Sequence, residues 1–145
     1  MQTTFVLETR GQGLYEFTAE VSGWLRQRGP RDGLLTLFVR HTSCSLLIQE
    51  NADPSVQVDL SAFLSRLVPS ADHPSMGYLT HTFEGADDKP AHIKAALCPV
   101  SLSIPVAGGV PRLGAWQGIY LFEHRDRPHR REVAAHVLVT AEEHP

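Results

Sequence analysis

The sequence offers little that would staple it covalently or anchor it in a membrane. It has two cysteines in 145 residues. Cys44 and Cys98 lie far apart and outside any CxxC pair, which argues against a disulfide framework and against a thiolate zinc site. Both stand in apolar surroundings, where a small buried side chain is the default. No apolar run approaches the roughly 20 residues needed to cross a bilayer, so no membrane partner is expected. The opening Met1–Glu8 lacks a basic stretch and a small-residue cleavage site, and the expected location is the cytoplasm. An excess of positive charge is missing too. Lys and Arg number 13 against 16 Asp and Glu, a formal net charge of −3, so a nucleic-acid partner finds no basic stripe. The densest basic stretch, Arg125–Arg131, contains Asp126 and Pro128 and reads as a solvated hairpin loop between two apolar runs. There is no HExxH helix, CxxC pair or EF-hand loop. Gly108-Gly109-Val110-Pro111-Arg112-Leu113-Gly114 lacks the Lys-Ser/Thr pair of a Walker loop and reads as a turn. No internal repeat or low-complexity linker divides the chain.

What is present is enough apolar residue, 42% of the chain, to build one core. Strands are expected over Thr3–Thr9, Leu34–Val39, Ser45–Gln49, Ser101–Val106, Gly118–Glu123 and Val133–Thr140, and extended chain over Tyr78–Phe83. A helix over Glu16–Arg28 carries Phe17, Val21, Trp24 and Leu25 at helical spacing and ends at Gly29-Pro30. Asp53-Pro54 starts a second helix, with Asp as the cap and Pro in the first turn. It turns Val56, Leu60, Phe63, Leu64 and Leu67 inward and stops at Pro69. Ser70–Gly77 is a loop. A third capped helix starts near Asp87-Asp88 and runs to about Leu97. Helices before residue 98 and strands after it predict a single α+β domain with a largely antiparallel sheet rather than βαβ repeats.

Chemistry concentrates in two stretches. In the first, His41-Thr42-Ser43 closes an apolar strand, where a rigid element holds polar groups in an exposed place. Asn51, Asp53 and Asp59 follow it, Asp53 being either a helix cap or a site residue. The second runs from His81 to Lys94 and holds His81, Glu84, Asp87, Asp88, Lys89, His92 and Lys94. Asp88 and His92 are four apart and share a helix face, and the helix N-terminus offers free N–H groups that suit a phosphate. A capped surface helix explains Asp87, Asp88 and Lys89 but not His81 and His92. His41, His81, His92 and His124 with nearby acids such as Asp87 could hold a divalent metal, zinc or magnesium. In Trp116–Arg125, strand alternation puts Tyr120, Phe122 and His124 on one face and Ile119, Leu121, Glu123 and Arg125 on the other. Glu123 and His124 are therefore not expected to share one small site within a subunit, and Trp116–Phe122 reads as core.

These residues carry a resemblance. His41-Thr42-Ser43, Glu50-Asn51-Ala52-Asp53-Pro54, Asp59, His81, Glu84-Gly85-Ala86-Asp87-Asp88, Pro90-Ala91-His92-Ile93-Lys94, Gly114-Ala115-Trp116-Gln117-Gly118-Ile119 and Glu123-His124-Arg125 stand in the order of the YjbQ-like family, often described as secondary thiamine-phosphate synthase enzymes. Each block is weak alone; together they are specific and span most of the chain. The resemblance implies a compact α+β fold, a homotrimer, and a polar pocket built from the His and acidic blocks between subunits. It also implies joining of a hydroxymethylpyrimidine diphosphate to a thiazole phosphate with release of pyrophosphate. On that reading His41, His81, His92, Glu84 and Asp88 carry catalysis, and Thr42, Ser43, Asn51, Lys94 and Arg125 hold the phosphorylated ligand. The expected metal ligands are His41, His81, His92, His124 and Asp87. A metal-dependent hydrolase using the same pocket and a non-catalytic trimeric binding protein for a phosphorylated metabolite are the alternatives. Two positions depart from the family pattern: Cys44 where a small residue is usual, and Lys89 where Met is common.

Overall fold

Period-two burial sorts the strands into two antiparallel sheets that share one core. In the computed structural model, which describes residues 1–141, β1 (Gln2–Glu8), β3 (Gly33–Val39), β5 (Ser101–Ala107), β6 (Val110–Pro111) and β8 (Arg130–Val139) form a sheet ordered β1-β8-β3-β5-β6. The second sheet is β2-β7-β4, made of β2 (Gly13–Glu16), β7 (Gln117–Glu123) and β4 (Cys44–Glu50). Every pairing is antiparallel. The single α+β domain expected from the element order is what forms.

The first sheet buries one face: Leu35, Leu37 and Val39 of β3 and Val133, Ala135 and Val137 of β8 alternate with exposed or half-buried neighbours. They meet Cys44 and Leu46 of β4 and Ile119 and Leu121 of β7. Each such side chain contributes on the order of 1.5–3 kcal/mol when fully buried. β7, central in its sheet, is covered on both faces. α1 (Thr18–Gln27) closes the core with Val21, Trp24 and Leu25. α2 (Pro54–Leu67) lies against β2 and α3 (Asp88–Leu97) against β4. Asp53 caps α2 as its spacing requires, Oδ1 accepting from the Ser55 amide at 2.9 Å.

Several expectations need correction. Tyr78–Phe83 is not a strand. It joins neither sheet and has turns at Tyr78 and Phe83, and the loop is closed at its ends by the Ala71 amide on the Ala86 carbonyl, 2.8 Å. Glu16 belongs to β2, and α1 starts two residues later, after Phe17 has donated its amide to the Ile119 carbonyl. α2 does not bury its whole apolar stripe: Leu64 is buried, but Phe63 and Leu67 are exposed. Trp116, expected in the core, is 66% exposed. Arg125–Arg131 is not a hairpin loop, because β7 and β8 belong to different sheets, and Arg131 is buried rather than solvated. The Gly108-Gly109 turn forms as expected. Gly109 has φ +77°, and a Cβ there would lie 2.7 Å from the Gly29 carbonyl oxygen. No helix among the described residues is long and apolar enough to cross a membrane.

Candidate functional site

Four strand ends meet at one end of the sandwich. Thr9 follows β1, His41–Ser43 joins β3 to β4, Glu123 ends β7 and Arg131 lies near the start of β8. Their centre is a buried ion pair. Arg131 reaches Glu123 through Nε on Oε2 at 2.7 Å and through Nη2 on Oε1. The Thr9 hydroxyl donates to Glu123 Oε2 at 2.8 Å, and the His124 and Arg125 amides donate to Oε1. Burial alone raises the Glu123 carboxyl, but the hydrogen bonds from Arg131 and Thr9 bring it below its ordinary value.

From this pair a chain of hydrogen bonds runs outward. Arg131 Nη2 donates to Ser43 Oγ at 3.0 Å, and Ser43 Oγ lies 3.1 Å from His41 Nδ1. The Thr42 amide also donates to His41 Nδ1, at 3.0 Å. The Thr42 carbonyl accepts from His92 Nδ1 at 3.0 Å. One peptide segment thus orients two imidazoles. With Nδ1 on that carbonyl, His92 turns Nε2 toward Asp88 Oδ1, so Nε2 is the nitrogen it presents to the acid cluster, the orientation in which a ligating imidazole is held by a carbonyl at its other nitrogen. Burial, helped by the Arg131 charge, holds His41 below the ordinary histidine value.

The His81–His92 stretch folds into an acid cluster. Arg125 clamps it: Nε on Asp87 Oδ2 at 2.9 Å, Nη1 on Asp88 Oδ1 at 2.8 Å, and Nη2 on the Glu84 carbonyl at 3.4 Å. Asp87 is therefore not a side-chain helix cap; its carboxylate serves Arg125 and the Asp126 amide. Asp88 is 1% exposed, with His92 Nε2 3.3 Å from Oδ1 and His81 Nε2 3.6 Å from Oδ2. Oδ2 is buried without a hydrogen-bond partner among the described residues. Ligand atoms of His81, Glu84 and Asp88 all lie within 4.8 Å of one another. An orphaned carboxylate oxygen beside two imidazoles and a second carboxylate fits a divalent ion of the zinc class, which accepts mixed N and O donors.

Not every candidate residue comes to this place. Lys94 is buried on the other side of α3, its Nζ donating to Gln12 Oε1 at 3.0 Å. Burial lowers its pKa while Asp126 and Asp87 pull the other way. Asn51 sits at the far end of β4, whose seven residues span about 20 Å. There its Nδ2 donates to Glu16 Oε2 at 3.0 Å. His124 is 1% exposed, with Nε2 2.8 Å from Ser45 Oγ. Burial, with the Lys94 charge adding to it, pushes it down to about 3. Its place inside its own subunit removes it from the acid cluster, and its side chain turns to Ser45 while that of Glu123 turns to Thr9 and Arg131. Thr42 contributes its main chain, Ser43 its hydroxyl, and Arg125 a clamp already saturated with carboxylates. Arg131, Thr9 and Gln12 were missed. The signal for Arg131 was its phase: it repeats at two-residue spacing with Val133, Ala135 and Val137, the buried face of β8.

The family model described as UPF0047 protein YjbQ-like matches residues 2–140. The chain belongs to that family. A UPF0047 protein of Synechocystis sp. is 47% identical over 94% of this chain and 90% of its own length. The UPF0047 protein YjbQ of Escherichia coli O157:H7 is 40% identical over 92% and 94%. Among solved structures, a conserved hypothetical protein of Thermus thermophilus superposes with a TM-score of 0.80 at 34% identity, covering 94% of this chain and 99% of that one. In this YjbQ-like chain the family blocks divide between the two ends of the sandwich. His41, His81, Asp88, His92 and Arg125 lie at one end, and Asn51 and Trp116 at the other, where the Asn51 amide meets the Trp116 carbonyl at 2.9 Å.

Proposed function

We propose that the protein is an enzyme dependent on a divalent metal and acting on a phosphorylated small molecule, with His81, Glu84, Asp88 and His92 as the metal's ligands. The observation that carries this reading is Asp88 Oδ2, buried beside His81 and without a hydrogen-bond partner among the described residues. A buried carboxylate oxygen left unpaired is costly, and a cation there removes the cost. Charge points the same way: three carboxylates, Glu84, Asp87 and Asp88, face one guanidinium, Arg125. A phosphate cannot approach that excess of negative charge unaided. A divalent ion held there would neutralise a bound or departing phosphate. The imidazole donors favour a zinc-class ion over magnesium, which prefers oxygen.

In its narrow form the reading is of the thiamine-phosphate synthase type. The bond from the hydroxymethylpyrimidine carbon to the diphosphate oxygen breaks, pyrophosphate leaves with the electron pair, and the thiazole nitrogen forms the new C–N bond. That chemistry asks for stabilisation of a leaving diphosphate more than for a protein nucleophile, which suits an acid-and-imidazole cluster. The homotrimer belongs to the same proposal. Phe63 and Leu67 on α2 and Leu34 and Leu138 on the first sheet are apolar surface that a single chain leaves in water.

The test is elemental analysis of tag-free protein, comparing wild type with Asp88→Asn and His92→Ala, with the assembly mass from light scattering on the same samples. Wild type retains about one ion per chain and both variants lose most of it at unchanged assembly mass. A metal-free wild type, or full occupancy in both variants, overturns the assignment. Pyrophosphate release by the metal-loaded protein tests the narrow form.

A further inference from the structure

His92, whose Nε2 faces Asp88, also lines a cavity of about 510 Å³. Its floor is apolar: Phe38 and Val39 from the end of β3, Ala95 and Ala96 from α3, and Val100. His92, Ala95 and Ala96 are at i, i+3 and i+4, so they share one helix face, and the two alanines make the hollow. The polar edge comes from His41 and Thr42. Arg40 also borders the cavity, but its Nη1 lies on Glu132 Oε2 at 3.1 Å.

The state of His41 follows from its partners. A guanidinium only donates, so Ser43 Oγ accepts from Arg131 Nη2 and is free to give its own hydrogen to His41 Nδ1. The Thr42 amide can only donate as well, and it also points at Nδ1. Two donors on Nδ1 place the ring proton on Nε2. His41, a residue of the cavity's lining, therefore carries an N–H donor on Nε2, preset by a buried chain that starts at Glu123. The same geometry withdraws His41 from metal ligation, because its Nδ1 is engaged and its Nε2 carries hydrogen.

We propose that this cavity holds the body of the substrate: a flat, uncharged ring bearing a hydrogen-bond acceptor, with the acceptor on His41 Nε2–H. The proposal deepens the reading of the neighbouring cluster as the reactive centre and rests on it for the word substrate. The lining argues for the class. An aromatic face and small aliphatic side chains suit a ring, and no unpaired charge in the lining suits an ion. A small molecule is the occupant, rather than a second copy, because His92 is common to cavity and cluster and because the tautomer of His41 in the lining is fixed as a donor by Ser43 and Thr42.

Benzamide, a flat ring with a carbonyl acceptor, tests this without metal or phosphate. Titration into isotope-labelled protein in chelator-containing buffer is followed by the methyl signals of Ala95, Ala96 and Val100. Acetamide, which has the acceptor but no ring, is the control. The expected result is saturable shifts with benzamide and binding at least about tenfold weaker with acetamide. His41→Phe keeps a ring but no donor and weakens benzamide about fivefold. Ala96→Trp fills the hollow and abolishes the shifts at Ala95 and Val100. Absence of shifts in the wild type, equal binding of the two amides, or indifference to both substitutions overturns the proposal. So does a change of assembly mass on Ala96→Trp, which would assign the cavity to a second copy. Because the buffer removes metal, failure here is separable from failure of the metal assignment, which is read from ion content alone.

Discussion

His124 makes a prediction that depends on burial and little else. Its imidazole is 1% exposed, Nδ1 has no hydrogen-bond partner among the described residues, and burial together with the Lys94 charge pushes it down to about 3. In the unfolded chain a histidine titrates near 6.5. Between those values the unfolded chain takes up a proton that the folded chain refuses. The stabilising contribution is therefore complete above about pH 6.5 and is lost as pH falls toward 3. Each pH unit in that window costs about 1.4 kcal/mol, so acidification to pH 5 removes about 2 kcal/mol, or about 6 °C of melting temperature for a chain of this size. Carboxylates do not confuse the window. Glu123 lies below its ordinary value in the fold, so its contribution is present above about pH 4.5 and lost only at lower pH. His41, also lowered by burial, adds a loss of the same sign, which a variant separates. The assay is urea denaturation at pH 7.5 and pH 5.0 in chelator, for wild type and His124→Gln. Glutamine keeps a hydrogen-bonding group for Ser45 but cannot titrate. Wild type should lose about 2 kcal/mol more than the variant on acidification. Equal losses in the two proteins would refute the argument that this imidazole is held neutral by its surroundings.

Two further outcomes follow from the same end of the fold. Arg131→Met leaves Glu123 charged and buried without its partner, and should cost about 3–5 kcal/mol in denaturant unfolding; the double variant Arg131→Met with Glu123→Leu should recover part of that loss. Asp53→Asn should leave the unfolding midpoint where it was, because asparagine caps a helix about as well as aspartate, whereas Asp53→Ala should lower it. Calorimetry of the two variants side by side checks the role of Asp53 as a cap.

The sequence made the fold legible wherever burial follows the chain's own period. β3, β5, β7 and β8 alternate or fill in as their residues require, and the Asp53-Pro54 helix start needed no tertiary knowledge. Expectation failed where a neighbour decides the outcome. Tyr78–Phe83 has residues that suit extended chain but pairs with neither sheet and turns at both ends. Phe63 and Leu67 sit at helical spacing with Leu64, yet α2 turns them away from the core. Trp116 follows an apolar pattern up to the point where β7 begins, and then lies outside it. In each case the side chain's own preference was read correctly, and its surroundings, set by residues distant in sequence, were not.

The candidate site shows the same division more sharply. Residue types told that histidines and acids gather, and the four-residue spacing of Asp88 and His92 correctly put them on one helix face. Roles were illegible because most are set by the main chain or by a distant charge. The Thr42 amide and carbonyl orient His41 and His92, and neither depends on the threonine side chain. Arg125, which looked free to bind phosphate, is consumed by Asp87 and Asp88 across 38 and 37 residues of sequence. Lys94 shares α3 with His92 but turns to Gln12, because a helix rotates about 100° per residue and two steps carry a side chain past the far edge of the site. A cation-seeking cluster and a preset donor thus emerge around His92 from residues whose spacing in sequence shows only that they are near. The division of labour between them rests on hydrogen bonds that join β3, α3, β7 and β8.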